Sequence, residues 1–155
     1  MTNYAKDYVL GFAFDLYGAV ALIEKARPDW QQGRWNGIGG HREAGEAGPE
    51  AMAREFYEES GMVTTADKWR HVGRINKTGA YRCLVYTAQF PILRCHTVTD
   101  ERVKVFPPAE QDALGGEGYP CLANIRPMIE LCRMAPDREG IIPLWDLDYS
   151  DKHVR

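Results

Sequence analysis

The sequence predicts a single α/β domain in which helices pack on both faces of a β-sheet. The order of elements is the first observation, because strand-like segments flank a central helical segment and a second helical segment comes near the C-terminus. Size is the second, since 155 residues are close to the commonest length of one domain, and we assign residues 1–155 to one unit. Composition is the third, because 45% hydrophobic residues can form a core. Together they predict an α/β/α sandwich.

The N-terminal part of the chain predicts a β-hairpin. Residues 8–15 are rich in aromatic and β-branched side chains, and residues 19–25 have a similar character after a Tyr-Gly turn. Lys25 and Arg27 stand at the end of the second strand. Residues 35–41 then predict a short third strand that leads into the central helix.

The central helix is predicted to begin at Gly48 and to end at Gly61. Pro49 is tolerated at the first helical position, and a glycine is typical of a helix C-terminus. Apolar residues recur at a spacing of three and four, which predicts a buried face formed by Pro49, Met52, Ala53 and Phe56.

Three glutamates stand beside this buried face. Glu55, Glu58 and Glu59 are spaced at i, i+3 and i+4, so they project toward one side of the helix. Like charges at these spacings destabilise a bare helix, whereas a divalent cation would turn their repulsion into binding. Hard oxygen donors without a nearby His or Cys favour Mg²⁺ or Mn²⁺ over zinc. The alternative is a solvated acidic face.

Further strands are predicted after the helix, over residues 69–76, 81–90 and 102–106. An extended segment is also predicted to begin at residues 62–65. His71 lies in the first of these three strands, where a lone histidine is more often structural than catalytic.

The C-terminal part predicts a short helix or turn at residues 108–114 and a longer helix capped by Asn124. The longer helix would pack on the sheet through Ile125, Met128, Ile129 and Cys132. The apolar tail at residues 141–149 is predicted to complete a ligand pocket or to cover the interface of a homodimer. Trp145 would stack on a flat ligand ring or, as the stronger alternative, pack against the domain.

A spaced pattern runs from Gly40 to Met62. It reads G-x5-E-x7-R-E-U-x-E-E-x-G-U, where U is a bulky apolar residue, and every fixed position is filled. This pattern resembles the signature box of the Nudix hydrolases, which cleave a nucleoside diphosphate linked to a further group. The resemblance implies the Nudix α/β/α sandwich with a central mixed β-sheet.

The resemblance also implies roles for residues in and next to the box. Glu55, Glu58 and Glu59 would bind Mg²⁺, with Mn²⁺ as a substitute, and the backbone carbonyl of Gly39 would be a further ligand. Arg54 would have a structural role.

Outside the box, the resemblance points to two more places. Lys25 and Arg27 would face the phosphates of the substrate, the alternative being ordinary surface charges. Nudix members often place a further acid before the strand at residues 102–106, as a metal ligand or as the base that activates water. Glu101 fits this position best and Asp100 is the alternative, unless the segment is only an acidic loop.

Asn36 is a candidate for base recognition, because an amide carries both a donor and an acceptor. Residues 33–40 resemble the corresponding segment of Nudix members that clear oxidised purine nucleotides, in which the asparagine contacts the base. His41 departs from them, since many of those members carry lysine there. The alternative is that Asn36 bonds its own backbone and fixes the loop.

Net charge and cysteine spacing bear on the partners and the cellular compartment of the protein. A net charge of −3 gives no overall basic field for a nucleic-acid backbone. The four cysteines show no metal-binding spacing and suit reduced, cytoplasmic thiols. Neither an export signal nor an apolar run of membrane-spanning length is evident.

These observations predict Mg²⁺-dependent hydrolysis of a nucleoside triphosphate or deoxynucleoside triphosphate to a monophosphate and pyrophosphate. Glu58, Glu59 or Glu101 would take the proton of the attacking water, and the sharpest substrate prediction is 8-oxo-dGTP. Two alternatives stay open. One is hydrolysis of a nucleotide sugar or a dinucleoside polyphosphate, and the other is a non-catalytic nucleotide-sensing module.

Overall fold

The computed structural model describes residues 4–135 and 145–149 and contains the predicted α/β/α sandwich with a mixed sheet. The strands are β1 (Lys6–Phe14), β2 (Val20–Glu24), β3 (Trp35–Asn36), β4 (Ile38–His41), β5 (Arg70–Lys77), β6 (Tyr81–Gln89), β7 (Arg102–Phe106) and β8 (Trp145–Asp148). The helices are α1 (Gly48–Ser60), α2 (Pro108–Gln111) and α3 (Ile125–Met134). Short 3-10 helices lie at Asp29–Gln31 and Ala66–Lys68.

Strand β1 is the centre of the sheet. One of its edges pairs in parallel with β6 along the whole strand, from Lys6 opposite Tyr81 to Phe14 opposite Gln89. Its other edge is divided between β4 and the start of β2, both antiparallel. Beyond β6 the sheet continues through β5 to β8, while β2 also pairs with β3 and with β7. The ends of β2 and β7 and the strand β4 that precedes α1 are thereby brought together.

Two hydrophobic clusters, one on each face of the sheet, form the core. Side chains of β1 alternate between them, since Val9 and Ala13 belong to one cluster and Phe12 and Phe14 to the other. The first cluster contains the apolar face of α1, and the second contains the apolar face of α3. Each helix is therefore fixed on the sheet by burial of its apolar side chains.

The helix predictions are largely confirmed. In α3, the buried residues are the predicted Ile125, Met128, Ile129 and Cys132. In α1, Met52 and Phe56 are buried as predicted, but Ala51 and Ser60 are buried instead of Pro49 and Ala53. The cap prediction is wrong in its chemistry: Asn124 occupies the N-cap position without a side-chain cap, and its amide donates to the Tyr149 hydroxyl at 3.2 Å.

Some strand predictions need correction. The predicted strand at residues 35–41 is two strands, because β3 pairs with β2 whereas β4 pairs with β1. Residues 62–65, predicted to begin an extended segment, lie outside the strands, and Thr65 has an extended backbone. Strand β8 was not predicted, and it pairs in parallel with β5. Residues 141–144 of the tail lie outside the described residues.

Within the described residues, no helix has the length and apolar character needed to cross a membrane.

The attachment of α1 to the sheet can be tested at Phe56, which is fully buried between Trp69 and Phe90. Phe56→Ala should lower the free energy of unfolding by about 3–5 kcal/mol, because it removes a core ring and leaves a cavity. Its neighbour Tyr57 is 53% exposed, so Tyr57→Ala should cost far less. Urea denaturation measures both variants, and equal losses would contradict the packing described.

Candidate functional site

Helix α1 is held by local capping at both ends. At its start, the Glu50 carboxylate accepts a hydrogen bond from the Ala47 amide at 3.1 Å. At its end, Gly61 has a φ of +71°, a left-handed conformation that glycine adopts without a steric cost. A Cβ at Gly61 would also lie 2.3 Å from the His96 ring. The helix therefore ends at Ser60, directly after Glu59, the last of the predicted metal-binding glutamates.

The Arg54 guanidinium joins the acidic residues of the site. It donates to both carboxylate oxygens of Glu46, at 2.8 and 2.9 Å, and to the His41 carbonyl at 2.9 Å. Its Nη1 donates to Glu55 at 2.8 Å and to Glu58 at 3.3 Å. Because one nitrogen contacts both carboxylates, Glu55 and Glu58 face the same side of the helix. These contacts give Arg54 the structural position predicted for it.

Two glycines of β4 allow the sheet and helix to approach closely. The Glu55 carboxylate lies against Gly40, where a Cβ would be 2.5 Å from Oε2. A Cβ on Gly39 would be 2.0 Å from the Val9 carbonyl oxygen, so no side chain fits there. Burial raises the pKa of the Glu55 carboxyl, and the hydrogen bond from Arg54 opposes this shift.

Glu59 lies deeper in the same groove. Burial raises the pKa of its carboxyl to about 7, with Glu101 and Glu55 acting in the same direction and Lys25 opposing them. Its Oε2 is buried and has no hydrogen-bond partner among the described residues. A buried carboxylate oxygen without a partner is costly, so this atom indicates a place where a cation or a proton donor fits.

Glu101 closes the groove on the side of β2. Its carboxylate accepts a hydrogen bond from Lys25 Nζ at 2.6 Å and another from the Ala26 amide at 2.8 Å. The residue is only 4% exposed. The structure thus brings Lys25 and Glu101, which lie far apart in the sequence, to Glu55 and Glu59 of helix α1. The contribution of the Ala26 amide had no signal in the sequence, because it is a backbone group.

Arg27 and Asp100 lie outside this groove. The Arg27 guanidinium donates through two nitrogens to the two oxygens of Asp100, one of them at 3.3 Å, and both side chains are exposed. This pairing raises the pKa of Arg27 and lowers that of Asp100. The structure therefore separates Lys25, which contacts the buried carboxylates, from Arg27, which contacts a surface carboxylate.

The donor set fits a hard divalent cation. It consists of carboxylate oxygens, and the buried Oε2 of Glu59, which has no hydrogen-bond partner among the described residues, is a position at which a cation fits. Among the described residues, no three His, Cys, Asp or Glu side chains form a metal-binding set by themselves. Glu55, Glu58 and Glu59 are therefore not gathered into one ligand cluster, and their binding of a metal ion stays a prediction.

Asn36 is engaged within its own loop. Its Oδ1 accepts from the Gly37 amide at 2.8 Å, and its Nδ2 donates to Gln31 Oε1 at 3.2 Å. The alternative interpretation from the sequence, that Asn36 fixes the loop, is therefore present in the structure. Base contact stays a prediction, and it requires the Gln31 contact to be exchanged for the base. Gln31 was missed from the sequence because its approach depends on the fold of residues 28–36.

His71 and Trp145 stand apart from the glutamates. The His71 ring lies 5.3 Å from that of Tyr86, and burial lowers the pKa of the imidazole. Trp145 packs over Gly73, where a Cβ would be 2.2 Å from the indole ring, and it borders the second hydrophobic cluster. Both positions fit the structural alternatives named for these residues.

The chain is similar to known proteins in both its sequence pattern and its fold. The family model described as NUDIX domain matches residues 7–115. The chain is similar to the MutT/nudix family protein of Enterococcus faecalis, with a TM-score of 0.62 and 17% identity over 69% of this chain, but spans only 45% of that protein. No curated protein matches significantly.

Two further solved structures match over most of their own length. The Nudix domain of Shewanella oneidensis NrtR, complexed with ADP ribose, matches with a TM-score of 0.68 and 17% identity, over 84% of this chain and 88% of that one. The Nudix hydrolase of Nitrosomonas europaea matches with a TM-score of 0.69 and 15% identity, over 96% and 82%. At such identities these likenesses establish the fold alone.

The structural role of His71 has a consequence for acid stability. Because burial lowers its pKa, assisted by the nearby Arg74 charge, the neutral imidazole favours folding above about pH 6.5, and this contribution is lost as pH falls. The His71→Phe variant should therefore lose less stability than the wild type between about pH 7.5 and pH 5. Urea denaturation at the two pH values measures this difference. His41→Phe, at an exposed ring stacked on Tyr8, is the matched control. Parallel losses in wild type and His71→Phe would contradict the burial of a neutral ring.

Proposed function

Because this chain belongs to the Nudix hydrolase family, whose model matches more than half of its length, we propose that it hydrolyses a nucleoside or deoxynucleoside triphosphate. The products would be a nucleoside monophosphate and pyrophosphate. The observation that carries the proposal is the groove in which the unpartnered Glu59 Oε2 lies beside Glu55 and the Lys25–Glu101 pair. Carboxylates that can bind a metal ion, together with the Lys25 ammonium, suit a substrate that carries phosphates and a bound metal ion.

The metal of this site would be Mg²⁺, with Mn²⁺ as a substitute. Glu55, Glu58, Glu59 and the Gly39 carbonyl would hold it, in keeping with the oxygen donors that line the groove. When bound, such a cation neutralises charge on phosphate oxygens and makes a coordinated water more acidic. Arg54 keeps Glu55 and Glu58 on one side of the helix and so prepares the site for it.

Lys25 and Glu101 would change partners when substrate binds. The Lys25 ammonium, now 2.6 Å from Glu101 Oε2, is the cation in the groove that can turn to a phosphate oxygen. Glu101 would still be oriented by the Ala26 amide at Oε1, and its freed Oε2 would accept a proton from the attacking water. Glu58 and Glu59 are the other candidates for this proton transfer. As the water oxygen bonds to phosphorus, the phosphoanhydride bond breaks and its electron pair leaves with pyrophosphate.

For the base, the proposal favours a purine, with 8-oxo-dGTP as the sharpest version. Its support is the segment at residues 33–40 and the amide of Asn36, which can offer a donor and an acceptor. Phosphate binding by Arg27 is a prediction from the sequence, and the exposed Arg27 guanidinium is already paired with Asp100. The cytoplasmic setting is supported by four free thiols at Cys83, Cys95, Cys121 and Cys132. The homodimer stays a prediction.

A second candidate function is hydrolysis of a nucleotide sugar. The observation in its favour is the similar Nudix domain of NrtR, which is complexed with ADP ribose. A dinucleoside polyphosphate belongs to the same group of alternatives, because it also contains a phosphoanhydride between two larger groups.

A substrate panel with Mg²⁺ tests the proposal. It should contain canonical and oxidised nucleoside triphosphates, ADP-ribose and a dinucleoside polyphosphate, with chelator as the metal-free control and with identification of products. Pyrophosphate released from a triphosphate supports the proposal. Sugar phosphate released from ADP-ribose would favour the second candidate. Nucleotide binding without turnover of any compound would identify a non-catalytic sensor and overturn both.

The metal site can be tested at Glu58, which is exposed and therefore contributes little to folding. Glu58→Gln should lower turnover on the order of a hundredfold, because it removes a charge that holds the cation against the phosphates. Initial rates at saturating Mg²⁺ measure the effect, and urea denaturation confirms that folding is intact. Glu130→Gln, an exposed acid of α3, should leave the rate unchanged. A near-normal rate for Glu58→Gln would remove this residue from the metal site.

A further inference from the structure

A row of ion pairs joins the end of β2 to the residues that begin β7. We call this row the charge ladder, and its three rungs are Glu24–Arg102, Lys25–Glu101 and Arg27–Asp100. The first rung measures 2.7 Å and the second 2.6 Å. Every rung pairs an acid with a base, although the acid lies on β2 in the first rung and on the opposite segment in the other two.

The charge ladder continues where the strands stop. The pairing of β2 with β7 ends at Glu24 opposite Arg102. Beyond that point, the Ala26 amide bonds to the Glu101 carboxylate, and no backbone pair joins residues 25–27 to residues 100–101 among the described contacts. Beyond the paired strands, ion pairs between side chains therefore hold the segment that carries Glu101 beside residues 25–27.

The second rung, Lys25–Glu101, and the third rung, Arg27–Asp100, differ in solvent exposure, and we call them the inner and the outer rung. The side chains of Lys25 and Glu101 are 17% and 5% exposed, whereas those of Arg27 and Asp100 are 66% and 61% exposed. In the outer rung, two guanidinium nitrogens meet two carboxylate oxygens, which is the geometry of a bidentate pair. Such a pair fixes the relative orientation of its two backbones better than a single contact does.

We propose that Arg27 and Asp100 are positioning residues, which hold Glu101 in register beside Lys25 and Glu59 without contacting the substrate. Asp100 directly precedes Glu101 in the chain. The backbone amide of Glu101 donates a hydrogen bond to Thr99 Oγ1 at 3.1 Å, which is a contact within the same loop and does not tie Glu101 to β2. Releasing the outer rung would let the Glu101 backbone shift, and small displacements of a reacting group lower the rate. This inference rests on the proposed function, in which Glu101 is a candidate proton acceptor.

Steady-state kinetics of single variants and of a double variant with swapped charges distinguish a positioning role of Arg27 from phosphate binding. Arg27→Gln and Asp100→Asn should each lower kcat by about threefold to fivefold with little change in KM, since an exposed pair contributes modestly. The double variant Arg27→Asp with Asp100→Arg should recover most of the loss, because it restores the rung with reversed charges. A raised KM in Arg27→Gln alone, with no recovery in the exchanged variant, would overturn the proposal and identify Arg27 as a phosphate ligand.

The Ala26 amide gives a readout that needs no turnover. It donates to Glu101 Oε1, so its hydrogen-exchange rate, followed by NMR, reports whether Glu101 stays in place. Hydrogen exchange at the Ala26 amide should become about threefold to fivefold faster in Arg27→Gln and in Asp100→Asn. It should slow again in the double variant with reversed charges. Unchanged exchange in the single variants would overturn the proposal.

A matched control and the wild-type panel complete the experiment. Arg74→Gln breaks an exposed Arg–Asp pair of similar exposure at β5 and β8, and it should leave the Ala26 exchange rate unchanged. A faster rate in Arg74→Gln would show a general loss of stability and would overturn the assignment. If the wild type hydrolyses none of the panel, the proposed function fails, whereas the exchange rates still decide whether the outer rung positions Glu101.

Discussion

The structure depends on the balance of charge in one groove. Five carboxylates converge on it from three parts of the chain, and two cations are placed among them: Arg54 beside Glu46, Glu55 and Glu58, and Lys25 beside Glu59 and Glu101. Like charges at such distances repel strongly in a partly buried site, so the cations are needed to hold the acids together. The balance remains negative, and this is the electrostatic reason why a divalent cation suits the groove.

The arrangement also requires glycine in β4, because the carboxylates of α1 reach the sheet only if β4 and α1 come close together. Gly40 leaves room for the Glu55 carboxylate, and Gly39 leaves room for the backbone of β1. A side chain at either position would push β4 away from α1 or from its partner strand. The spacing of the box is therefore required for packing as well as for chemistry, because Gly40 and Glu55, two of its fixed positions, lie in contact.

Sequence reasoning succeeded where local pattern decides the structure. The limits of α1 and the buried residues of α3 follow from caps and periodicity, which act within a few residues. It failed where distant pairing decides. Strand β8 exists through its pairing with β5, and the split of the predicted third strand follows from two different partner strands. Asn124 looked like a cap, but its backbone is helical instead of extended, so its side-chain oxygen makes no cap, and its Nδ2 donates to the Tyr149 hydroxyl.

The position of Glu101 shows most clearly what the missing information was. Taken separately, residues 24–27 and 100–102 are short runs of mixed charge that any surface loop resembles. The strand pairing ends with Glu24 opposite Arg102, and this register leaves Lys25 next to Glu101, with which it forms an ion pair. The backbone amide of Ala26 also donates to Glu101, whereas Asp100 pairs with Arg27 because the Ala26 side chain carries no charge. The register of one strand pair therefore determines which acid enters the groove and which stays at the surface, and a register is a property of the fold that neither segment contains alone.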